Sequence, residues 1–228
     1  MTIRLTFLCA PGGAAASAPL VCEAPGREHG LPLASMTRAA LPSHGPAVRA
    51  PSIRCAQTAS AFGLVTTSDP ALRDLDLGAW SCRTIDEVAA FDPDGFTAWL
   101  TDPDAAPHGG ESVRGLCRRT ADWLRGLAPG PDHTVAVTEA AVVRAALIHA
   151  LAVPARAFWH LAVPPLSTVS LTRHNGCWDI RVGCLTPRQR QRWVQSRSAA
   201  LAHPRRPAPA TGAASPVPAA GAYPSQYP

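Results

Sequence analysis

Arg54, Glu111, Glu139 and Cys9 are the residues of this chain best suited to chemistry on a small molecule, and each stands where the chain changes direction. Cys9-Ala10-Pro11-Gly12 closes a short apolar run, Arg54 opens a helical stretch, and Glu111 follows the turn Pro107-His108-Gly109-Gly110. Glu139 separates the strand-like Val137-Thr138 from the helix-like Ala140-Ala141. Two carboxylates that share a cavity tend to share a proton, which raises one pKa and leaves an acid beside a base. Such a pair can isomerise, dehydrate or cyclise an uncharged or cationic molecule, with a guanidinium as anion or carbonyl anchor. Cys9 adds a thiol, which becomes a nucleophile only when ionised. With the two carboxylates it could alternatively help to hold a divalent metal.

The elements that must position these groups are legible from periodicity and punctuation. Ile3 to Leu8 reads as a buried strand ended by Pro11-Gly12-Gly13, and residues 11–45 as an irregular excursion with little periodicity. Ala47-Val48-Arg49 suits a short strand, and Ser52 to Phe62 a helix with Ile53, Ala56, Ala59 and Ser60 on one side. Thr84 with Glu87 three residues on has the form of a capping box, and Asp92-Pro93-Asp94 and Asp102-Pro103-Asp104 punctuate short helices. Val113, Leu116, Thr120, Leu124 and Leu127 give a helix from about 111 to 127 one inward face. His133 to Thr138 followed by Ala140 to Leu151 is a strand, a tight turn and a helix, the unit that builds parallel sheets. Asn175-Gly176 between two alternating runs marks a hairpin. Together these predict an α/β fold, a three-layer sandwich with a mainly parallel central sheet and an antiparallel edge.

Composition narrows the setting. The chain has 228 residues, 46% of them hydrophobic, with mean hydropathy +0.02, as expected of one soluble globular domain plus a tail. Its formal charge of +5 is localised: residues 187–228 carry six arginines and no acid, which leaves 15 basic against 16 acidic residues in 1–186. The body is near neutral, so no specific nucleic-acid partner is expected. Every basic residue is arginine, most simply a GC-rich coding bias. Residues 1–186 therefore read as the folded domain, and 187–228, with eight of the 24 prolines, as a disordered Pro/Ala/Arg-rich tail.

Seven cysteines, odd in number and without a C-x-x-C pair, argue against a disulfide framework and for a reducing compartment. No apolar run reaches the roughly 18–20 residues of a membrane span. Pro11 interrupts the N-terminal apolar run before the roughly 7–15 residues that a signal peptide needs. The expectation is a cytoplasmic protein with no membrane partner.

The segments Arg54-Cys55-Ala56-Gln57-Thr58-Ala59 and Pro107-His108-Gly109-Gly110-Glu111-Ser112 resemble the histidine phosphatase superfamily, also called phosphoglycerate mutase-like. Leu72-Arg73-Asp74-Leu75-Asp76-Leu77-Gly78-Ala79-Trp80, Phe158-Trp159-His160 and Pro165-Leu166-Ser167 look like further parts of the same pattern, so the resemblance spans about residues 2–182. It implies catalytic groups at the C-terminal ends of adjacent strands. In that family one histidine attacks phosphorus, two arginines and a second histidine surround the phosphoryl group, and a carboxylic acid protonates the leaving oxygen. Carried over by position, the first-loop arginine falls on Cys9, its neighbouring histidine on Ala10, the second arginine on Arg54, the acid on Glu111 and the second histidine on Glu139. Trp80 and Ser112 complete the set expected to meet a ligand.

By this resemblance the chain is a degenerate member that lacks both active-site histidines. Ala10 cannot attack phosphorus, and Glu139 adds negative charge where the family has a nitrogen base. A carboxylate about 5 Å from a phosphate dianion opposes binding by roughly 6–7 kcal/mol at an effective dielectric near 20. Three readings stay open. One is a pseudophosphatase that binds a small molecule in the former phosphate pocket for a regulatory purpose. Another is a repurposed enzyme using Glu111 and Glu139 as acid and base, and the third is a residual phosphomonoesterase. A pocket closed by a direct ion pair from Glu139 to Arg54 or Arg144 would favour the first reading, and an open cavity lined by Arg54, Glu111, Glu139 and Trp80 the second. No metal or organic cofactor is expected, and the oligomeric state is not encoded in any pattern of the sequence.

Overall fold

The computed structural model describes residues 2–11, 41 and 45–184. The tail 187–228 and nearly all of the excursion 11–45 lie outside the described residues. Six strands form one sheet in the order β3-β2-β4-β1-β5-β6. These are β1 (Ile3–Cys9), β2 (Ala47–Arg49), β3 (Thr67–Ser68), β4 (His133–Thr138), β5 (Ser167–His174) and β6 (Cys177–Cys184). β3, β2, β4 and β1 run parallel, while β5 and β6 add an antiparallel edge. The mainly parallel sheet with an antiparallel edge is the arrangement that the sequence pattern predicts.

Burial explains the central pair. Leu5, Phe7 and Leu8 of β1 and Val135, Ala136 and Val137 of β4 are all fully buried, so side chains on both faces of these strands are covered. That matches their near-continuous apolar runs, the signature of parallel strands sheltered on two sides. At the edge, Asn175 and Gly176 both adopt positive φ, 50° and 86°, and join His174 to Cys177 in a two-residue hairpin.

Helix ends follow side-chain caps. α1 (Ile53–Ala61) starts at Ser52, whose hydroxyl accepts from the Cys55 N–H, and α2 (Ile85–Phe91) carries the full Thr84/Glu87 capping box. Asp92 ends α2 through its N–H and begins α3 (Pro93–Thr101) through its side chain, so one residue serves both helices. α4 (Val113–Gly126) is capped by Ser112, and α5 (Ala140–Leu151) leaves β4 directly at Glu139. The periodic helix expected from about 111 thus begins two residues later, and Glu111 stays on the preceding loop.

That loop is fixed by backbone contact. The Glu111 N–H donates to the Asp76 carbonyl at 2.8 Å and the Ala79 N–H to the His108 carbonyl at 2.9 Å. A Cβ at Gly110 would stand 2.2 Å from the Asp76 oxygen, and one at Gly78 (φ +43°) 2.2 Å from the His108 oxygen. Two loops therefore meet main chain to main chain, which only glycine permits. Around them Trp80, Phe96, Trp99 and Trp159 form an aromatic cluster with His108, the Trp80 and His108 rings 5.1 Å apart.

Cys82 is disulfide-bonded, a departure from the wholly reduced cysteine set expected from the sequence; Cys9, Cys55, Cys117 and Cys177 are free thiols. Among the described residues no helix is long and apolar enough to cross a membrane. Gly110→Ala is expected to cost about 2 kcal/mol or more by pushing the two loops apart, seen as a Tm lowered by roughly 5 °C or more in a calorimetric melt.

Candidate functional site

The C-terminal ends of β1, β2 and β4 lie side by side and deliver the groups singled out above. The Ala10 N–H donates to the Thr138 carbonyl at 2.8 Å and the Ala50 N–H to the Val137 carbonyl at 2.8 Å, so the three strand ends are tied together just before their loops diverge. Cys9 and Ala10 come from β1, Ser52 and Arg54 from the start of α1 just after β2, and Glu139 from the step between β4 and α5. Thr138 Oγ1 donates to the Leu72 carbonyl at 2.8 Å, which brings the loop bearing Asp74 to the same place.

Glu139 is the most constrained of these groups. It is 4% exposed, its Oε1 accepts from the Ser52 hydroxyl at 2.5 Å, and its Oε2 is buried without a hydrogen-bond partner. The helix termini explain how a carboxylate is tolerated there. Glu139 is the N-cap residue of α5, and Ser52 is the N-cap of α1, so two helix N-termini point positive charge toward it. Its side chain makes no capping bond of its own.

The expected closure by Arg54 does not form. Arg54 instead faces Asp74, Nη2 to Oδ2 at 3.8 Å, and Arg144 uses its Nε–H on the Leu161 carbonyl at 2.9 Å while its guanidinium lies over the Phe158 ring. Burial lowers the Arg144 pKa, against the opposing pull of Cys9 and Asp74. Asp74 is therefore the carboxylate neighbouring Glu139, and it is pushed up to about 7 by burial first and the Glu139 charge second. The Leu75 N–H, Arg54 and Arg119 act in the opposite direction.

Glu111 is occupied elsewhere. Arg119 grips both of its oxygens, Nε to Oε1 at 2.9 Å and Nη2 to Oε2 at 2.6 Å, and Arg73 approaches at 3.6 Å. The same guanidinium donates from Nη1 to the carbonyls of Ala71 at 2.7 Å and Arg73 at 3.0 Å. Glu111 thereby holds the 71–74 loop in place through Arg119, a structural task that the acid assignment did not foresee. The carboxylate whose charge is felt at Asp74 is Glu139. Asp74 lies inside the segment 72–80 that carried the family resemblance, so a signal for it was present.

The remaining expected residues have other engagements. The Ser112 hydroxyl accepts from the Gly115 N–H at 3.1 Å as the α4 cap. Trp80 is 2% exposed within the aromatic cluster. Cys9 is 1% exposed, and its thiol is pushed up to about 12 by burial, then by Glu139 and Asp74, with Arg144 and Arg54 offsetting only part of this. A thiol so placed stays protonated near neutral pH and is a poor nucleophile. Burial and Glu139 likewise raise Cys55. Among the described residues no group of three or more His, Cys, Asp or Glu side chains is arranged to hold a metal ion.

A mainly parallel α/β sheet with polar groups gathered at its strand ends has the usual layout of a ligand site in such folds. The chain belongs to the histidine phosphatase superfamily (branch 1), whose family model matches residues 27–184. The match begins downstream of β1, Cys9 and Ala10. Among curated relatives it is 33% identical over 127 residues to a glucosyl-3-phosphoglycerate phosphatase of Mycobacterium tuberculosis, covering 51% of this chain and 56% of that protein. It is 26% identical over 113 residues to an adenosylcobalamin/alpha-ribazole phosphatase of Salmonella typhimurium, covering 48% and 51% respectively. The chain thus spans about half the length of the curated relatives it matches. Among solved structures, Bacillus stearothermophilus YhfR superposes with TM-score 0.71 at 19% identity over 81% of this chain and 98% of that one. A putative alpha-ribazole-5'-P phosphatase from Escherichia coli superposes with TM-score 0.69 at 20% identity, over 80% and 96%. At such identities the superpositions establish the fold.

Two stability measurements separate the carboxylates. Arg119→Met leaves Glu111 with Arg73 at 3.6 Å as its remaining partner and removes the donors of the Ala71 and Arg73 carbonyls, and is expected to cost about 2–4 kcal/mol in denaturant melts. Asp74 has a folded-state pKa raised above its unfolded value of 3.8, so the folded chain binds the extra proton and stability falls as pH rises from about 4 through 7. Asp74→Asn removes that loss. Its Tm relative to the parent is expected to be several degrees more favourable at pH 8 than at pH 4.5, and an unchanged difference would refute the raised pKa of Asp74.

Proposed function

We propose that this chain is a histidine phosphatase-like protein that has given up the phosphohistidine mechanism and binds a small molecule in the former phosphate pocket. One observation carries the reading: the position matched by resemblance to the family's second histidine holds Glu139, buried and bonded to Ser52 at 2.5 Å. Ala10 at the end of β1 offers only a methyl group, and the neighbouring thiols of Cys9 and Cys55 are held protonated. The described histidines are engaged away from the strand ends or exposed. His108 stacks in the aromatic cluster, His133 bonds Thr6 at 2.7 Å, His149 sits beside Trp178, and His160 is exposed.

The two curated relatives named above are phosphatases. Here the charge on Glu139 works against a phosphate dianion. A second reading is supported by the lack of an ion pair from Glu139 to Arg54 or Arg144 among the described residues, and by Asp74, whose carboxyl burial and the Glu139 charge push up to about 7, as a candidate acid. Such an acid suits isomerisation, dehydration or cyclisation of a molecule that carries no phosphate.

Assay against p-nitrophenyl phosphate over pH 4–9 tests the reading directly. The expected result is no turnover above buffer; turnover that disappears in Asp74→Asn would overturn it in favour of a phosphomonoesterase. Calorimetric titration with inorganic phosphate gives a second check. Glu139→Gln is expected to bind phosphate at least about tenfold more tightly than the parent, a modest part of the roughly 6–7 kcal/mol repulsion expected before relaxation.

A further inference from the structure

We propose that the site binds a small zwitterion, an α-amino acid or close analogue, with its carboxylate on Arg54 and its ammonium group on Asp74 in the field of Glu139. The inference rests on the non-hydrolytic binding reading given above and names the ligand class for it.

The Arg54 guanidinium is unsatisfied. Its side chain is 27% exposed, and among the described residues its charge partner is Asp74 at 3.8 Å, beyond hydrogen-bond distance. A guanidinium fork with accessible donors is suited to a planar carboxylate, which it can grip with two parallel hydrogen bonds. Asp74 is unsatisfied in the complementary sense. Its Oδ1 accepts from the Leu75 N–H at 2.9 Å, while Oδ2 faces only the distant Arg54, with the side chain 17% exposed. Behind it Glu139 keeps a buried Oε2 with no hydrogen-bond partner. An ammonium group at Asp74 would meet one carboxylate directly and be favoured by a second.

The site presents charges of both signs. Arg54 and Arg144 contribute two positive charges near the strand ends, and ionised Asp74 and Glu139 two negative ones. Arg119 and Arg73 both lie on Glu111. With Arg54 and Asp74 offering one charge of each sign 3.8 Å apart, the site can favour both ends of a neutral zwitterion. It offers a phosphate dianion one free fork and two opposing carboxylates. An α-amino acid carries its two charged groups one carbon apart, which suits poles as close as Arg54 and Asp74.

Binding is then linked to protonation. The groups facing Asp74 are Glu139, Arg54, Arg119, Arg144 and the Cys9 thiol; burial first and the Glu139 charge second raise its pKa to about 7 in the free protein, against Arg54 and Arg119. An ammonium group beside it favours the ionised carboxylate, so the complex forms with proton release at pH 6 and without it at pH 8.5.

Isothermal titration of the full chain with the twenty L-α-amino acids, followed for any binder by its N-acetyl and carboxamide derivatives, tests the proposal. We expect at least one amino acid to bind saturably and each derivative to bind at least tenfold more weakly. Arg54→Gln should lose discrimination against the carboxamide, and Asp74→Asn should lose both discrimination against the N-acetyl form and the proton release at pH 6. Near-UV circular dichroism of both variants confirms that they remain folded. Binding that is unaffected by removal of either charge, or absence of binding by all twenty, overturns the inference. The p-nitrophenyl phosphate assay separates the two levels: hydrolysis sinks the non-hydrolytic reading itself, whereas no hydrolysis with no amino-acid binding sinks only the ligand assignment.

Discussion

The Arg119 guanidinium is the interaction on which the site depends. It binds both oxygens of Glu111 and the carbonyls of Ala71 and Arg73, with a longer contact to the Asp74 main-chain carbonyl at 3.4 Å, so one planar group organises the end of a short helical turn and the loop that follows it. Buried carbonyls in such a loop need donors, and a rigid five-donor fork supplies several at once. Asp74 is carried on that loop. Its approach to Glu139 follows from where Arg119 puts the main chain, and no attraction between the two carboxylates is needed.

The consequence at the strand ends is a redistribution of charge. Glu111, which the family resemblance makes the acid, is neutralised at a distance of 2.6 Å by an arginine two helical turns further along the chain. Asp74 has only a loose arginine and a buried carboxylate for neighbours, and so takes the elevated pKa. Of these two carboxylates Glu111 is clamped by an arginine, while burial and the Glu139 charge raise the pKa of Asp74.

Much of the fold was legible in the residues. The uninterrupted apolar runs of β1 and β4, the Asn175-Gly176 turn and the Thr84 capping box each state a local geometry that the packed molecule keeps, because pattern, cap and turn chemistry agree at those points. The site was legible only in part. Glu139, Arg54 and Ala10 are placed by their positions at strand ends, which chain order determines. The roles of Glu111, Asp74 and Ser112 depend on which side chain reaches them across the fold. Arg119 lies eight residues from Glu111 and nearly fifty from Ala71, a coincidence of three segments that no local spacing reveals. Cys9 misled for a related reason: a thiol beside an arginine suggests activation, but burial and two nearby carboxylates outweigh that cation. Cys82 gave no local sign of its bond.

Asp92 carries a different lesson. Its N–H closes the last turn of α2 on the Val88 carbonyl while its side chain opens α3 on the Gly95 N–H, so the two helices share a single residue as their joint. A joint with no spare residue has no slack. Unwinding the end of one helix strips the other of its cap, which couples their fraying and makes the stretch from Ile85 to Thr101 a stiff elbow. Through Trp99 against Trp80 and His108, that elbow bears on the Gly78 and Gly110 crossing, so whatever disturbs it is transmitted as a push on the loop beside Asp74.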